Sequence, residues 1–268
     1  MKIIRHQTAD GTIQHGVLDK DDTMRPIAGD IYGEFTVQDR SVPLGKLLAP
    51  VVPNQIMCIG LNYKRHAQES GVAPPQYPVL FTKGPNTLLN PGDPIELPRA
   101  LASEEVDYEV ELAVVIGKAC KNVSKASALD YVLGYTAAND VSARDWQLKK
   151  GGGQWCRGKT FDTFSPMGPC LALKDEIPNP NELQLRTVVN GEVLQDWNTR
   201  DMIFDVPSLI EFLSGSNTLL PGTVILTGTP HGVGAARKPP RWLRPGDEVT
   251  VELEKIGALT NSVINEPV

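Results

Sequence analysis

The sequence predicts an α+β protein in which strands dominate. Three observations carry this. The 268 residues include 24 glycines and 22 prolines, which punctuate many short segments without the three-residue period of collagen. Most of these segments alternate apolar and polar residues, the pattern of a half-buried strand. The helical segments are few and short. They do not alternate with strands as units of about 10–15 residues, so a doubly wound parallel sheet is not expected.

Lys2–His6 and Thr12–Leu18 flank the turn signal Asp10-Gly11 and read as a hairpin. Segments stay short and polar up to Pro50, which predicts a small N-terminal β domain over 1–50 and a larger domain over 51–268. Gln55–Gly60 reads as a buried strand, and Tyr63–Ser70 as a short helix stopped by Gly71. A proline-rich loop at 72–78 leads to a strand at Val79–Lys83 and a turn at Pro91-Gly92-Asp93. Val106–Gly117 reads as one strand. Ser124 is placed as the N-cap of a helix through Ala126–Val132, and Tyr135–Asp140 as a strand. Asn190-Gly191 between two alternating runs marks a second hairpin. Pro207–Leu213 is a helix; Thr223–Thr227, Asp247–Glu254 and Ala258–Val263 are strands.

The chain holds 26 Lys and Arg against 32 Asp and Glu, a net charge of -6. With no basic block, it is not expected to bind nucleic acid through phosphates. A hydrophobic content of 41% is too high for a disordered protein. Met1–His6 lacks the apolar core of a signal peptide. No apolar run approaches the roughly 20 residues that cross a bilayer. A soluble, cytoplasmic protein with no membrane partner is expected, and a removed organelle presequence is left open. Cys58, Cys120, Cys156 and Cys170 form no C-x-x-C pair, so reduced and mostly buried thiols are expected.

The acidity is concentrated. Glu104, Glu105, Asp107, Glu109 and Glu111 lie within eight residues that contain no Lys or Arg. On a strand, Glu105, Asp107, Glu109 and Glu111 share one face, about 6.6 Å apart in sequence order. The unalternating Ala113–Ile116 that follows suggests that this strand runs into the core. Carboxylates carried inward are costly unless neutralised. Oxygen-only ligands favour magnesium, manganese or calcium over zinc. The alternative is a solvated acidic face, and Glu248, Glu252 and Glu254 on Asp247–Glu254 supply an example of one.

Asp140, at a strand end, either completes a three-carboxylate site or N-caps a helix from Val141; taken alone, the cap is the preferred reading. His66 and Glu69 stand three apart on a helix, as an oriented general base or as a surface ion pair. Gly153–Thr160 matches G-x-x-x-x-G-K-T, but no apolar strand precedes it and residues 161–166 do not read as a helix. Nucleotide binding there is not expected, and Lys159 remains of interest as a cation on a rigid turn. Gly228–Gly234 is a turn whose backbone donors could cup an anion, or simply a tight turn.

In this order the clusters resemble the fumarylacetoacetate hydrolase (FAH) family. The resemblance rests on Gly60-Leu61-Asn62-Tyr63 leading to His66 and Glu69, Pro78–Lys83, Asp107–Leu112, Asn139–Asp145, Gly158–Asp162 and Leu226–Pro230. The tail, with Arg237–Pro240 and Gly246–Val249, resembles the subgroup called fumarylacetoacetate hydrolase domain-containing protein 2. The resemblance implies a mixed β-sandwich roll and a homodimer. It also implies magnesium (Mg2+, with Mn2+ as the substitute) held by Glu109, Glu111 and Asp140. His66, Glu69 and Lys159 would be catalytic, the dyad on a segment that orders over the ligand. Arg144, Gln147, Lys83 and Thr229 would bind substrate. Ile59 stands where fumarylacetoacetase itself has an acidic ligand, which argues against fumarylacetoacetate as the substrate.

The resulting expectation is C–C bond hydrolysis of a small 2-oxo acid of the acylpyruvate or fumarylpyruvate type through a metal-stabilised enolate. The alternative is decarboxylation or tautomerisation of oxaloacetate, or isomerisation of a 2-hydroxy-dienoate, at the same site. All of these share one enolate, so the sequence does not separate them.

Overall fold

A computed structural model describes residues 1–19 and 23–268. The strand Val110–Ile116 explains the architecture. All seven of its residues are buried, because apolar clusters cover both of its faces. Leu112, Val114 and Ile116 belong to one cluster and Ala113 and Val115 to another. The unalternating run is thus the signature of a strand buried on both sides.

This strand lies between Val132–Asn139 and Thr223–Leu226, antiparallel to both. Beyond Thr223–Leu226 come Gln55–Gly60, in parallel, and then Val79–Lys83. On the other side Val132–Asn139 pairs with Ser165–Leu173, which pairs with Lys2–Gln7. Among the described residues these strands belong to a mixed thirteen-stranded sheet. The first strand, Lys2–Gln7, is therefore stitched into the main sheet, with Ile3 opposite Leu171. A five-stranded sheet of Ile95–Leu97, Gly257–Asn265, Glu248–Leu253, Gln184–Val189 and Glu192–Asn198 packs nearby.

Local chemistry fixes the predicted turns and helices. Asn190 and Gly191 both take positive φ, as a tight hairpin turn requires. Helix α1, Lys64–Glu69, is a single short element after Tyr63. Helix α2, Cys156–Lys159, is barely one turn. In α3, Val206–Ser214, Asp205 caps by accepting from Ser208 N at 2.9 Å. The alternating strand Glu248–Leu253 keeps Glu248 exposed and Val249, Val251 and Leu253 buried, the solvated face expected of it. Cys58, Cys120 and Cys170 are buried free thiols; Cys156 is half-buried.

Three expectations require correction. Val106–Gly117 is not one strand but Val106–Asp107 and Val110–Ile116, broken at Tyr108-Glu109. The cause is a run of amides that bond side chains. Tyr108 N donates to Asp107 Oδ1, Glu109 N to Asn139 Oδ1 and Val110 N to Gln195 Oε1. Ser124 does not cap a helix; residues Lys125–Tyr131 are a 3-10 segment, and the Ser124 hydroxyl meets Ser127 Oγ. Asp140 does not cap one either. Ser142–Ala143 is a short strand, and helical winding starts only at Asp145–Lys150.

Candidate active site

Val110 lies opposite Asn139 on neighbouring antiparallel strands, so Glu109, Glu111 and Asp140 emerge at one end of the pair. Asp140 N donates to Glu109 O at 2.9 Å, which closes that end. One carboxylate oxygen from each of Glu109, Glu111 and Asp140 lies within 4.8 Å of the others, and all three residues are buried. The break at Tyr108-Glu109 separates them from Asp107 and Glu105, which the alternating pattern put on the same face. Asp107 instead accepts from Gly234 N and Ala235 N, and Glu105 pairs with Lys149 near the surface.

Cations surround the triad. Lys159 Nζ, from the end of α2, donates to Glu109 Oε2 and Asp140 Oδ2, each at 2.7 Å. Lys83 Nζ reaches Asp140 Oδ1 at 2.6 Å. Arg144 Nη2 reaches Glu109 Oε1 at 2.6 Å, Nε reaches Asp107 Oδ2 at 2.9 Å, and Nη1 reaches Gln147 Oε1 at 3.0 Å. Three carboxylates, Asp107, Glu109 and Asp140, thus meet three cations, and Glu111 stands beside them without one among the described residues.

The electrostatics are uneven within this cluster. Burial would raise Glu109, but the Arg144 and Lys159 charges outweigh it and hold Glu109 below the ordinary carboxylate range. Burial would likewise lower Lys159, and Asp140 and Glu109 reverse this. Glu111 is pushed well upward by burial and then by Asp140 and Glu109. Its carboxylate has Gly228 N, at 2.7 Å, as a donor and makes no ion pair among the described residues. Three oxygen-only donors in a buried pocket with one under-compensated carboxylate fit a hard divalent cation.

The dyad comes from the other side. His66 Nδ1 sits 2.7 Å from Glu69 Oε1 on α1. Gly232 N donates to both oxygens of Glu69, at 3.1 and 3.0 Å. The turn Gly228–Gly234 therefore does hold anions, and they are the chain's own: Gly228 serves Glu111, Gly232 serves Glu69 and Gly234 serves Asp107. The loop resembling a phosphate cradle is occupied by contacts within the chain. A Cβ on Gly158 would lie 2.5 Å from Ala143 O, and Lys159 is committed to carboxylates.

A cavity of about 440 Å³ is lined by Glu109, Glu111, Asp140, Lys159, His66, Glu69, Arg144, Gln147 and Thr229. Nine of the ten predicted site residues thus share one space. Lys83 does not. Its ammonium is fully buried and spent on Asp140, Val141 O and Phe164 O, so it anchors the triad from behind instead of meeting substrate. Thr229 lines the wall, but its hydroxyl hydrogen goes to Val110 O at 3.0 Å and its oxygen accepts from Gln195 Nε2 at 2.8 Å. Gln147 differs. Arginine only donates, so Arg144 fixes the amide oxygen of Gln147 and leaves its NH₂ as a donor.

Sequence reasoning missed Asp107 as an anchor, Asn139 and Gln195 as partners of backbone amides, and Gly232 as the holder of the dyad. Gly232 had a signal, because glycine recurs in the turn. Its φ is +97°, and a Cβ there would meet Leu194 O at 2.4 Å. Gln195 had none.

The family model described as fumarylacetoacetate (FAA) hydrolase C-terminal matches residues 55–264. The chain belongs to the fumarylacetoacetate hydrolase family. A second model, Rv2993c-like, N-terminal, matches residues 1–50. Among relatives of this family member, the fumarylacetoacetate hydrolase domain-containing protein 2 homolog of Dictyostelium discoideum is 48% identical over 238 residues, 85% of this chain and 77% of that protein. Oxaloacetate tautomerase fahd2, mitochondrial, of Xenopus laevis is 51% identical over 219 residues, 81% of this chain and 68% of that protein. The solved structure of 5-carboxymethyl-2-hydroxymuconate delta-isomerase from Mycobacterium smegmatis is 40% identical, with a TM-score of 0.87 over 99% of this chain and 100% of that one. The strand-rich FAH fold and the resemblance to domain-containing protein 2 are both borne out. The family consists of enzymes acting on small molecules. Among the described residues no helix is long and apolar enough to cross a membrane.

Proposed function

We propose that this chain moves a proton at the carbon beside the keto group of a small 2-oxo acid of the oxaloacetate type, interconverting its keto and enol forms. The observation that carries this reading is the shared cavity: an oriented imidazole, a buried carboxylate triad and a lysine all line it. The names of the relatives, tautomerase and isomerase, support proton transfer over hydrolysis, the expectation first placed on the sequence.

Glu69 holds Nδ1 of His66, which leaves Nε2 as the ring nitrogen free to exchange a proton. His66 takes the proton from the carbon beside the keto group. The C–H pair becomes a carbon–carbon double bond, and the carbonyl π pair moves onto oxygen. The Lys159 charge stabilises that oxygen as it becomes negative. Reprotonation at oxygen gives the enol. The NH₂ of Gln147 orients the acid, and Arg144 keeps Glu109 ionised and Gln147 in place. A divalent cation, magnesium for these hard oxygen donors, would be held by Glu109, Glu111 and Asp140 and would supply Lewis-acid charge to the substrate oxygens. A homodimer and a cytoplasmic setting complete the proposal.

The test follows the decay of enol absorbance of oxaloacetate with magnesium, beside pyruvate release and acylpyruvate cleavage. Enol decay should be accelerated far more than either of the others. Acylpyruvate cleavage as the fastest reaction would restore the hydrolase reading.

A further inference from the structure

We propose that Arg65, Trp197 and His231 are positioning residues that set the orientation of the His66–Glu69 dyad. Six residues are too few for a helix to hold itself together, and the N-cap residue of α1, Tyr63, makes no side-chain cap bond of its own. Its geometry must come from what it touches. At its start, Arg65 N donates to Asp201 Oδ2 at 3.1 Å. At its end, Glu69 is gripped by Gly232 N. Between these, the Arg65 guanidinium lies over the Trp197 ring, 3.9 Å from its centroid. Trp197 in turn meets His231 edge-on, with centroids 4.9 Å apart and planes at 85°.

These contacts close a ring. Arg65 adjoins His66, His66 bonds Glu69, Glu69 bonds Gly232, Gly232 adjoins His231, and His231 packs on Trp197 beneath Arg65. The dyad is thus fixed from both flanks, by one hydrogen-bonded path and one stacked path. The stack is maintained at a cost. Trp197 Nε1 and His231 Nδ1 are buried without a hydrogen-bond partner among the described residues. Buried unpaired donors and acceptors are rare and destabilising, so stability alone does not account for the arrangement. An arginine held over an indole beside the helix that carries His66 does account for it, as a clamp on the approach angle of His66.

The inference rests on the proton-transfer reading of the dyad, and its test keeps the two apart. Variants R65M, R65K and W197L of the full chain are assayed for oxaloacetate enol decay with magnesium, and by hydrogen exchange. In R65M and W197L, kcat should fall about tenfold or more while KM stays within about twofold, the mark of a contact felt in the transition state. R65K keeps a cation over the ring and should recover most of the loss. Amides of residues 64–70 should exchange faster in R65M and W197L, with strand Val110–Ile116 unchanged. Since Arg65 is exposed, R65M should fold normally even if W197L does not. Unaltered kcat together with unaltered exchange in R65M would overturn the clamp. If the unsubstituted protein turns over none of the acids, the functional reading fails and exchange alone decides: acceleration in R65M keeps the clamp, and none rejects it.

Discussion

Two lysines on opposite sides of one aspartate play different parts because of what else they touch. Lys83 donates to Asp140 Oδ1 and to two main-chain carbonyls from a fully buried position. Lys159 bridges Asp140 and Glu109 and faces the cavity. Lys83→Met strands the partners of a buried charge and should cost about 3–5 kcal/mol, read as a lower urea midpoint. Lys159→Met leaves Asp140 with Lys83 and Glu109 with Arg144, so its stability loss should be smaller. Its turnover should fall by about 10²–10³ through loss of charge at the reacting oxygen. A Lys83→Met midpoint equal to that of the unsubstituted protein would refute the anchor. Gly232 is the complementary case. Gly232→Ala puts a Cβ 2.4 Å from Leu194 O at a φ of +97°, so the turn must shift and release Glu69. Enol decay should drop, though no further than in His66→Ala, while magnesium still binds, as a thermal shift would report.

At the scale of elements, the strands and turns fixed by neighbours in sequence were legible. The two hairpins, the buried strand Gln55–Gly60 and the helix after Asp205 follow from alternation, turn chemistry and a cap, all short-range causes. The break at Tyr108-Glu109 was not, because its cause lies 30 and 85 residues away, in Asn139 and Gln195. Most of the site was legible as residue types, yet its grouping came from the same long-range contacts. The break is what sends Asp107 to Arg144 while Glu109 and Glu111 face Asp140. Gln195 illustrates the dependence. It accepts from Val110 N and Thr187 Oγ1 and donates to Thr229 Oγ1 and Pro230 O, so one amide joins three elements. Gln195→Leu leaves buried groups unpaired and should cost about 2–3 kcal/mol or more. The same variant should weaken magnesium binding by loosening the end of strand Val110–Ile116. Retention of both properties would show that the break is fixed by other contacts.

For the molecule as a whole, the net charge of -6 matters less than where the uncompensated charge lies. Asp107, Glu109 and Asp140 each contact a cation, whereas Glu111 faces two like charges with a single backbone donor. Such a position is unfavourable to the empty fold and favourable to the loaded one. Removing the charge as Glu111→Gln keeps an oxygen for Gly228 N and relieves the repulsion, so metal-free thermal stability should hold or rise. The cation response should move the other way. A ligand present at about 100 times its Kd adds about 2.7 kcal/mol, and a chain of this size gains about 2–4 °C per kcal/mol. Magnesium should therefore raise the melting temperature of the unsubstituted protein by roughly 5–10 °C over the chelated sample, and that of Glu111→Gln by little or nothing. An equal shift in both proteins would place the cation elsewhere. A fall in metal-free stability on substitution would show that Glu111 serves the fold. A stable variant without the shift would mean that the chain tolerates a poorly compensated carboxylate in its core because the cation requires it.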